Sequence, residues 1–417
     1  MHILLIHQAF AALDEPGGTR HHELARHLAG RGHRVTVIVS PVSYLTGLTS
    51  PLTPTPSPLP HMGEGGGVAR SAGVGGEVRI LRASVYSAHH KSFIHRTLAF
   101  VSFMASSFAL GLGVKDVDIV WGTSPPIFQS VTAWLLARLK GIPFLFEVRD
   151  LWPTFAIAIG VLKNPLLIRM SEWLERFLYR RAGRVVVNSP GFIAHVTGRG
   201  AQQVELVPNG SDPEMFDPFD TGAAFRQIHH LEDKFVVLYA GAHGISNDLG
   251  VVLESACLLA DKPEIQIVLL GDGKEKPNLQ RQAAAMSLTN ILFLPPIPKT
   301  EMPAALAGAD ACIAILKPLK EYKTTYPNKV FDYMAAGRPV ALAIDGVIRE
   351  VVETAGCGLF AQPGNPSALA EALRVLASDP ERSRKMGLNG RRYLETHFSR
   401  AALGAGLLRI LEEMKGE

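Results

Sequence analysis

Cysteine is scarce in this chain. Its 417 residues include three, Cys257, Cys312 and Cys357, with no C-x-x-C pair and no accompanying histidine cluster. That argues against a disulfide framework or a structural zinc site. It leaves buried small hydrophobes as the simpler reading and suits a reducing cytoplasm. An excess of one charge is missing too: 42 basic residues face 38 acidic ones, a formal +4 with a sequence pI near 8.9. So mild a balance falls short of a nucleic-acid-binding signature, while suiting an anionic ligand or an anionic membrane surface. Long apolar runs are lacking as well. The longest, Leu98 to Val114, carries three serines and is shorter than the ~20 residues of a spanning helix. The opening MHILLIHQAF has neither the charged start nor the small-residue cleavage site of a signal peptide, and reads as a first strand.

What is present is an alternation of β-branched runs with helical patterns. Met1–Ile6 and Val35–Val39 read as strands around a helix over 21–30, where Leu24 and Leu28 recur at helical spacing. Further strands are predicted at 77–83, 116–121, 143–148, 184–188 and 204–207. Helices are predicted at 131–140 and along a basic amphipathic stretch ending at Gly183. The second half restarts the pattern, with strands at 235–240, 266–270, 290–294, 311–316 and 339–344. Its predicted helices lie at 249–259, 330–336, 366–377 and 400–415. Continuous apolar strands separated by helices imply parallel sheets covered on both faces, hence an α/β fold. Two restarts imply two domains with a cleft between them: 1–204, 205–395, and a closing helix over 396–417. The Pro- and Gly-rich stretch at about 47–76 cannot build a core and reads as a disordered loop.

In such sheets ligands bind beyond the carboxyl ends of the strands, where this sequence concentrates its glycines, prolines and charges. Gly17-Gly18 precedes a helix N-terminus, which favours an anionic or hydroxyl-rich ligand, though a glycine pair serves a plain turn equally well. Glu147, Arg149 and Asp150 end an apolar strand beside Trp152. Arg149 can fork onto a phosphate or carboxylate, and Asp150 or Glu147 can accept a proton or hold a sugar hydroxyl; an internal ion pair is the alternative. His243 and Asn247 in the loop opened by Gly241, and Lys274 in the turn Gly271-Asp272-Gly273, could reach a diphosphate or stand in solvent. Asn328-Lys329 opens a helix with Asp332 one turn on, so that Lys329 could meet phosphate and Asp332 a ribose. Arg169 to Arg184 interleaves Trp173, Leu174, Phe177 and Leu178 with arginines. With the run from Leu98 and with Arg82, Lys91 and Arg96, it could form a face that lies on an anionic membrane leaflet.

Taken in order, Pro16-Gly17-Gly18, LARHLAGRGHRVTVI, FEVRDLWP at 146–153, VPNGSD at 207–212, GDGKEK at 271–276 and PNKVFDYMAAGRPV at 327–340 resemble the glycosyltransferase family 4 enzymes of GT-B fold. The branch most like it includes the O-antigen L-fucosamine transferases. The resemblance implies two facing Rossmann-like domains and retaining transfer from a nucleoside-diphosphate sugar, UDP favoured. It implies no metal or other cofactor, and a lipid-linked or glycan acceptor in cell-surface polysaccharide assembly. It sets Lys329 on phosphate and Asp332 on ribose. The Gly241 loop and the Gly271 turn would line diphosphate and base, Pro296 would border the base, and Gly17-Gly18 would approach from the opposite domain. The last helix would return to the N-terminal domain. Thr324 stands where the family's first motif glutamate is usual, Asp332 at the second, and Arg149 where many relatives have histidine. A sugar-nucleotide epimerase and a non-catalytic donor-binding subunit are the alternative readings.

Overall fold

The computed structural model describes residues 1–15, 17–41, 76–86 and 93–416. The expected loop at 47–75, Pro16, Lys91 and the side chain of Arg96 therefore lie outside the described residues. The first sheet contains β1 (His2–Ile6), β2 (Arg34–Val39), β3 (Val78–Arg82), β4 (Ile119–Ser124), β5 (Phe144–Val148), β6 (Arg184–Val187) and β7 (Val204–Leu206). Their order is β3-β2-β1-β4-β5-β6-β7, and every pairing is parallel. The second contains β8 (Phe235–Ala240), β9 (Ile265–Leu270), β10 (Ile291–Leu294), β11 (Ala311–Ile315), β12 (Val340–Ala343) and β13 (Gly358–Phe360). Its order is β10-β9-β8-β11-β12-β13, again parallel throughout. These are the two Rossmann-like domains of a GT-B fold.

Strand pleating divides each continuous apolar run between two cores. Ile3 and Leu5 point to the face shared with Leu24, Leu28, Leu407 and Leu411, while Leu4 and Ile6 join Phe103, Leu136 and Tyr179 on the other. In the second sheet Val237 and Tyr239 pack with Leu253 and Leu373, whereas Val236 and Leu238 pack with Phe331 and Met334. A fully buried leucine or valine contributes roughly 1.5–3 kcal/mol, so both faces of both sheets hold the fold.

The domain boundary needs one correction. β7 pairs with β6 at Val185↔Val204 through Val187↔Leu206, so the N-terminal sheet runs past 204 and the crossover begins after Leu206. At the other end, the helix Pro380–His397 packs in the second domain. The chain then bridges Ser399 to Ser211, and the helix Arg400–Gly416 returns to the first domain with Leu403, Leu407, Leu411 and Met414 in its core. The helix Val347–Ala355, strand β13 and the helix Pro380–His397 have no counterpart in the predicted elements.

In each sheet the strand order reverses beside the first strand, between β1 and β4 and between β8 and β11. Such reversals open a crevice at the carboxyl ends of the strands. The crevices are joined by contacts across the cleft. Phe155, from the helix Thr154–Ala158 after β5, meets Tyr322 of the second domain edge-on at 5.3 Å. Ser189 Oγ donates to the Thr324 carbonyl at 2.5 Å, and the Thr300 N–H donates to the Leu13 carbonyl at 3.2 Å.

Candidate functional site

On the second domain, β8 ends at Ala240 and the chain turns at Gly241 (φ +144°), beside the turn after β9 at Gly271 (φ +143°). A Cβ on Gly271 would strike the Gly241 carbonyl, so the two turns pack backbone on backbone. Lys329 rises under them from the helix Asn328–Ala335. Its Nζ lies 3.7 Å from the Tyr239 ring centroid, and a Cβ on Gly241 would come within 2.9 Å of it. Although the residue as a whole is half-buried, the ammonium itself is shielded from water and has no hydrogen-bond partner. Burial lowers its pKa to about 7. An unpaired buried cation costs several kcal/mol unless something answers it, and here it faces a glycine turn at the switch point. An anion could be accommodated by this arrangement.

His243 deepens that reading. It is 0% exposed with both ring nitrogens unpaired. Burial, then Lys276 and Lys329, lower its pKa to about 4 against a smaller opposing effect of Asp272, so the ring is neutral near pH 7. Asn328 adds an unpaired buried Oδ1. Gly273 lies against the His243 carbonyl, Asn247 closes the short turn Ile245–Asn247, and Pro296 stands half-buried in the loop after β10. Lys274 is exposed. The inward lysine of this turn is Lys276, whose Nζ donates to the carbonyls of Gly271 (2.7 Å) and Leu294 (2.8 Å). Asp332 is committed elsewhere than expected. Its Oδ1 takes a 2.6 Å ion pair from Lys299 and a 2.6 Å hydrogen bond from Ser211 Oγ at the domain junction. Only Oδ2, 3.5 Å from Asn328 Nδ2, remains for a ribose.

On the first domain the buried carboxylate is paired. Glu147 is 0% exposed and is held by Arg20 Nε at 3.0 Å, His21 Nε2 at 2.5 Å and Trp121 Nε1 at 3.1 Å. Burial alone would raise its pKa, but His21 and Arg20 outweigh that and hold it well below the usual carboxylate range. The expectation that Glu147 accepts a proton or holds a sugar hydroxyl does not fit this geometry, because its lone pairs already serve the protein. Arg149 Nη2 donates to the Pro125 carbonyl at 2.8 Å, and its Nε is buried without a partner. Asp150 stands next to it at the cleft. Crowding by protein raises its pKa to about 6 against the pull of Arg149. Its residue surface is nonetheless exposed, and water on that side screens the carboxylate. Asp150 acts electrostatically on Tyr322 across the cleft. Gly17 and Gly18 are exposed, and a Cβ on Gly18 would meet nothing within 4 Å. The protein's own packing therefore does not demand a glycine there.

Residues 17–210 match the family model of the glycosyl transferase 4-like domain, and residues 220–393 match that of glycosyl transferases group 1. The chain is a glycosyltransferase of GT-B type. Over 365 residues this glycosyltransferase is 24% identical to WcaI of Escherichia coli K12, a protein named for glycosyl transfer in colanic acid biosynthesis; 84% of this chain and 86% of that one are covered. Its fold is similar to that of sucrose-phosphate synthase from Thermosynechococcus elongatus, with a TM-score of 0.76 at 18% identity over 99% and 98% of the two chains. It is also similar to that of HepE from Anabaena in complex with UDP-glucose, with a TM-score of 0.68 at 15% identity over 99% and 100%. The glycosyltransferase thus has its second domain on the cationic side of the cleft, around Lys329, and its first on the ion-paired side, around Glu147. Among its described residues no group of three or more His, Cys, Asp or Glu could hold a metal ion. Sequence reasoning passed over His7, Arg20, His21, Lys276 and Lys299. The one signal for the first three was their closeness to Gly17-Gly18 and the opening strand.

Proposed function

We propose that this glycosyltransferase moves a sugar from a nucleoside-diphosphate sugar, UDP-linked by preference, to a lipid-linked or glycan acceptor in cell-surface polysaccharide assembly. Anomeric configuration is retained and no metal takes part. The carrying observation is the buried, unpartnered ammonium of Lys329 beneath the Gly241 turn. A diphosphate placed there answers the cation. When the bond between the anomeric carbon and the diphosphate oxygen breaks, the charge growing on that oxygen meets Lys329 and nearby backbone N–H groups, which is where fixed electrostatics accelerate transfer most. The acceptor oxygen attacks from the same face, and its proton leaves with the diphosphate. The neutral His243 ring offers one donor and one acceptor to the same ligand. The name of WcaI and the UDP-glucose bound by HepE favour a surface polysaccharide and a UDP-sugar. The motif run from RDLWP to PNKVFDYMAAGRP favours the O-antigen branch.

A thermal-shift series with UDP, GDP, ADP and dTDP tests the reading, each with and without EDTA. The expected result is a UDP-selective rise in Tm, lost in Lys329→Ala and indifferent to EDTA. No rise with any nucleotide would overturn the donor site.

The acceptor's lipid has a counterpart on the first domain. The helix Phe128–Lys140 lies against both Phe93–Gly113 and Pro165–Arg181, and the three expose Leu98, Val101, Leu139, Leu166, Met170 and Trp173, the last 61% accessible, with Arg169, Arg176, Arg180 and Arg181 on the third. No helix of the described residues is long and apolar enough to cross a membrane, so this face would lie on the inner leaflet. Sedimentation with phosphatidylglycerol vesicles, but not phosphatidylcholine ones, is expected, weakened in Trp173→Ser with Met170→Ser.

A further inference from the structure

His7 follows β1 at the reversal of strand order in the first sheet, the counterpart of the Gly241 position in the second. It is 1% exposed. Its Nε2 lies 3.0 Å from His21 Nδ1, and His21 Nε2 lies 2.5 Å from Glu147 Oε2. The tautomers follow from what each atom can do. An ionised carboxylate only accepts, so His21 Nε2 carries its proton, and the neutral ring leaves Nδ1 as an acceptor. His7 Nε2 must then carry the proton it donates to His21. That leaves His7 Nδ1 with a bare lone pair, buried and without a partner among the described residues. A buried acceptor left unsatisfied destabilises the folded state. In a native crevice such an atom calls for a group the protein does not itself supply.

We infer that His7 Nδ1 accepts a hydrogen bond from a sugar hydroxyl, with His21 and Glu147 as the positioning residues that fix its tautomer. The inference rests on the glycosyltransferase reading and adds a substrate-contacting residue to it. A hydroxyl suits the atom better than a phosphate, which has no proton to donate at neutral pH. Nor is His7 a base. Burial, then His21 and Arg149, hold it well below the ordinary histidine range against a smaller opposing effect of its own backbone, and around His21 stand Glu147, Arg149 and Arg20. A ring that refuses a proton but offers a lone pair orients a hydroxyl without taking its hydrogen. The hydroxyl belongs either to the sugar being transferred or to the acceptor.

Nitrogen-15 spectra of the full chain labelled at histidine test this directly. In the free protein His7 is expected as the Nε2–H tautomer at pH 7; a protonated Nδ1 would overturn the inference. UDP should move His243 and leave His7 still. If UDP-glucose then moves His7 Nδ1, the hydroxyl is the donor sugar's; if only methyl glucoside added to the UDP complex does, it is the acceptor's. Should His243 answer UDP while neither sugar probe moves His7, the inference falls and the donor site stands. Should His243 answer no nucleotide, the proposed donor site fails instead, whereas the free-protein tautomer still reports on the relay. Among variants, His7→Asn, whose amide oxygen can stand near Nδ1, should keep transfer within about threefold. His7→Leu should lower it at least tenfold with a Tm no lower than that of His7→Asn, since both variants take the donor from His21 Nδ1, and equal losses of transfer in both would also overturn the inference.

Discussion

Each domain places a buried histidine just past the first strand of its sheet, beside the reversal of strand order, yet the two surroundings are opposite. His243 stands among Lys276 and Lys329 with both nitrogens idle, and the Lys329 ammonium is unpaired. His7 is tied through His21 to Glu147, which Arg20 also grips. The first arrangement leaves a whole charge without a partner, whereas the second pairs its carboxylate and leaves His7 Nδ1 and Arg149 Nε unmatched. Under the proposed function, the difference separates two tasks of one cleft. An anionic leaving group needs a field built in advance, and a neutral sugar needs orientation without competition from loose charge.

The contrast breaks most visibly at Glu147. Glu147→Ala would strand the Arg20 guanidinium and the His21 ring in the first domain's interior, and losing one partner of a buried pair costs about 3–5 kcal/mol. The urea midpoint should fall accordingly, with Glu147→Gln losing less. Because the folded carboxyl is held below its ordinary value, its contribution is present at neutral pH. That contribution is lost only as acid carries the pH down through the folded value.

Lys329→Met should behave the other way. The thioether fills the space over Tyr239 without a charge to bury, so stability should hold or rise, while transfer falls by about 10²–10³-fold, as for loss of a principal oxyanion-stabilising group. Equal damage to stability from Lys329→Met and Glu147→Ala would erase the distinction between the two sides.

A smaller effect sharpens it. With burial lowering Lys329 to about 7, the free enzyme loses this charge as pH rises past that point, and a diphosphate must restore it on binding. UDP affinity measured by calorimetry should therefore weaken above pH 7 by up to about tenfold per unit, with proton uptake. Lys329→Met should flatten the slope. The sign for folding is opposite: the unfolded chain holds more protons between about 7 and the usual lysine range, so the cost of burying this lysine fades as pH rises through that window.

How far the site could be read from sequence follows the range of its contacts. The strands were legible because a parallel sheet covered on both faces demands unbroken apolar runs, as at Phe235–Ala240. Lys329 was legible because a lysine opening a helix has local meaning. The role of Glu147 was not, since Arg20 and His21 stand 127 and 126 residues away in the chain. The same charged strand end that suggested chemistry turned out to be a buried anchor. Asp332 misled for the same reason, because Lys299 and Ser211 arrive from other elements. β13 has three residues, too few to show a period.

The smallest expected effect is also the sharpest local test. Lys274 and Lys276 are two residues apart in one turn, and sequence gave no reason to prefer the second. The turn geometry separates them: Lys274 is exposed, while Lys276 caps the carbonyls of Gly271 and Leu294 and acts electrostatically on His243. Lys276→Ala should cost about 1–3 kcal/mol by taking the side-chain donor from the Gly271 carbonyl and leaving the Leu294 carbonyl with the Gly271 N–H alone, and should loosen UDP binding as the turn relaxes. Lys274→Ala should stay within about 0.5 kcal/mol of the parent, as surface changes do, with UDP affinity unchanged by calorimetry. If Lys274→Ala instead weakened UDP, that lysine would fold inward over the bound diphosphate, and the cationic side of the cleft would be partly assembled by its ligand rather than wholly built in advance.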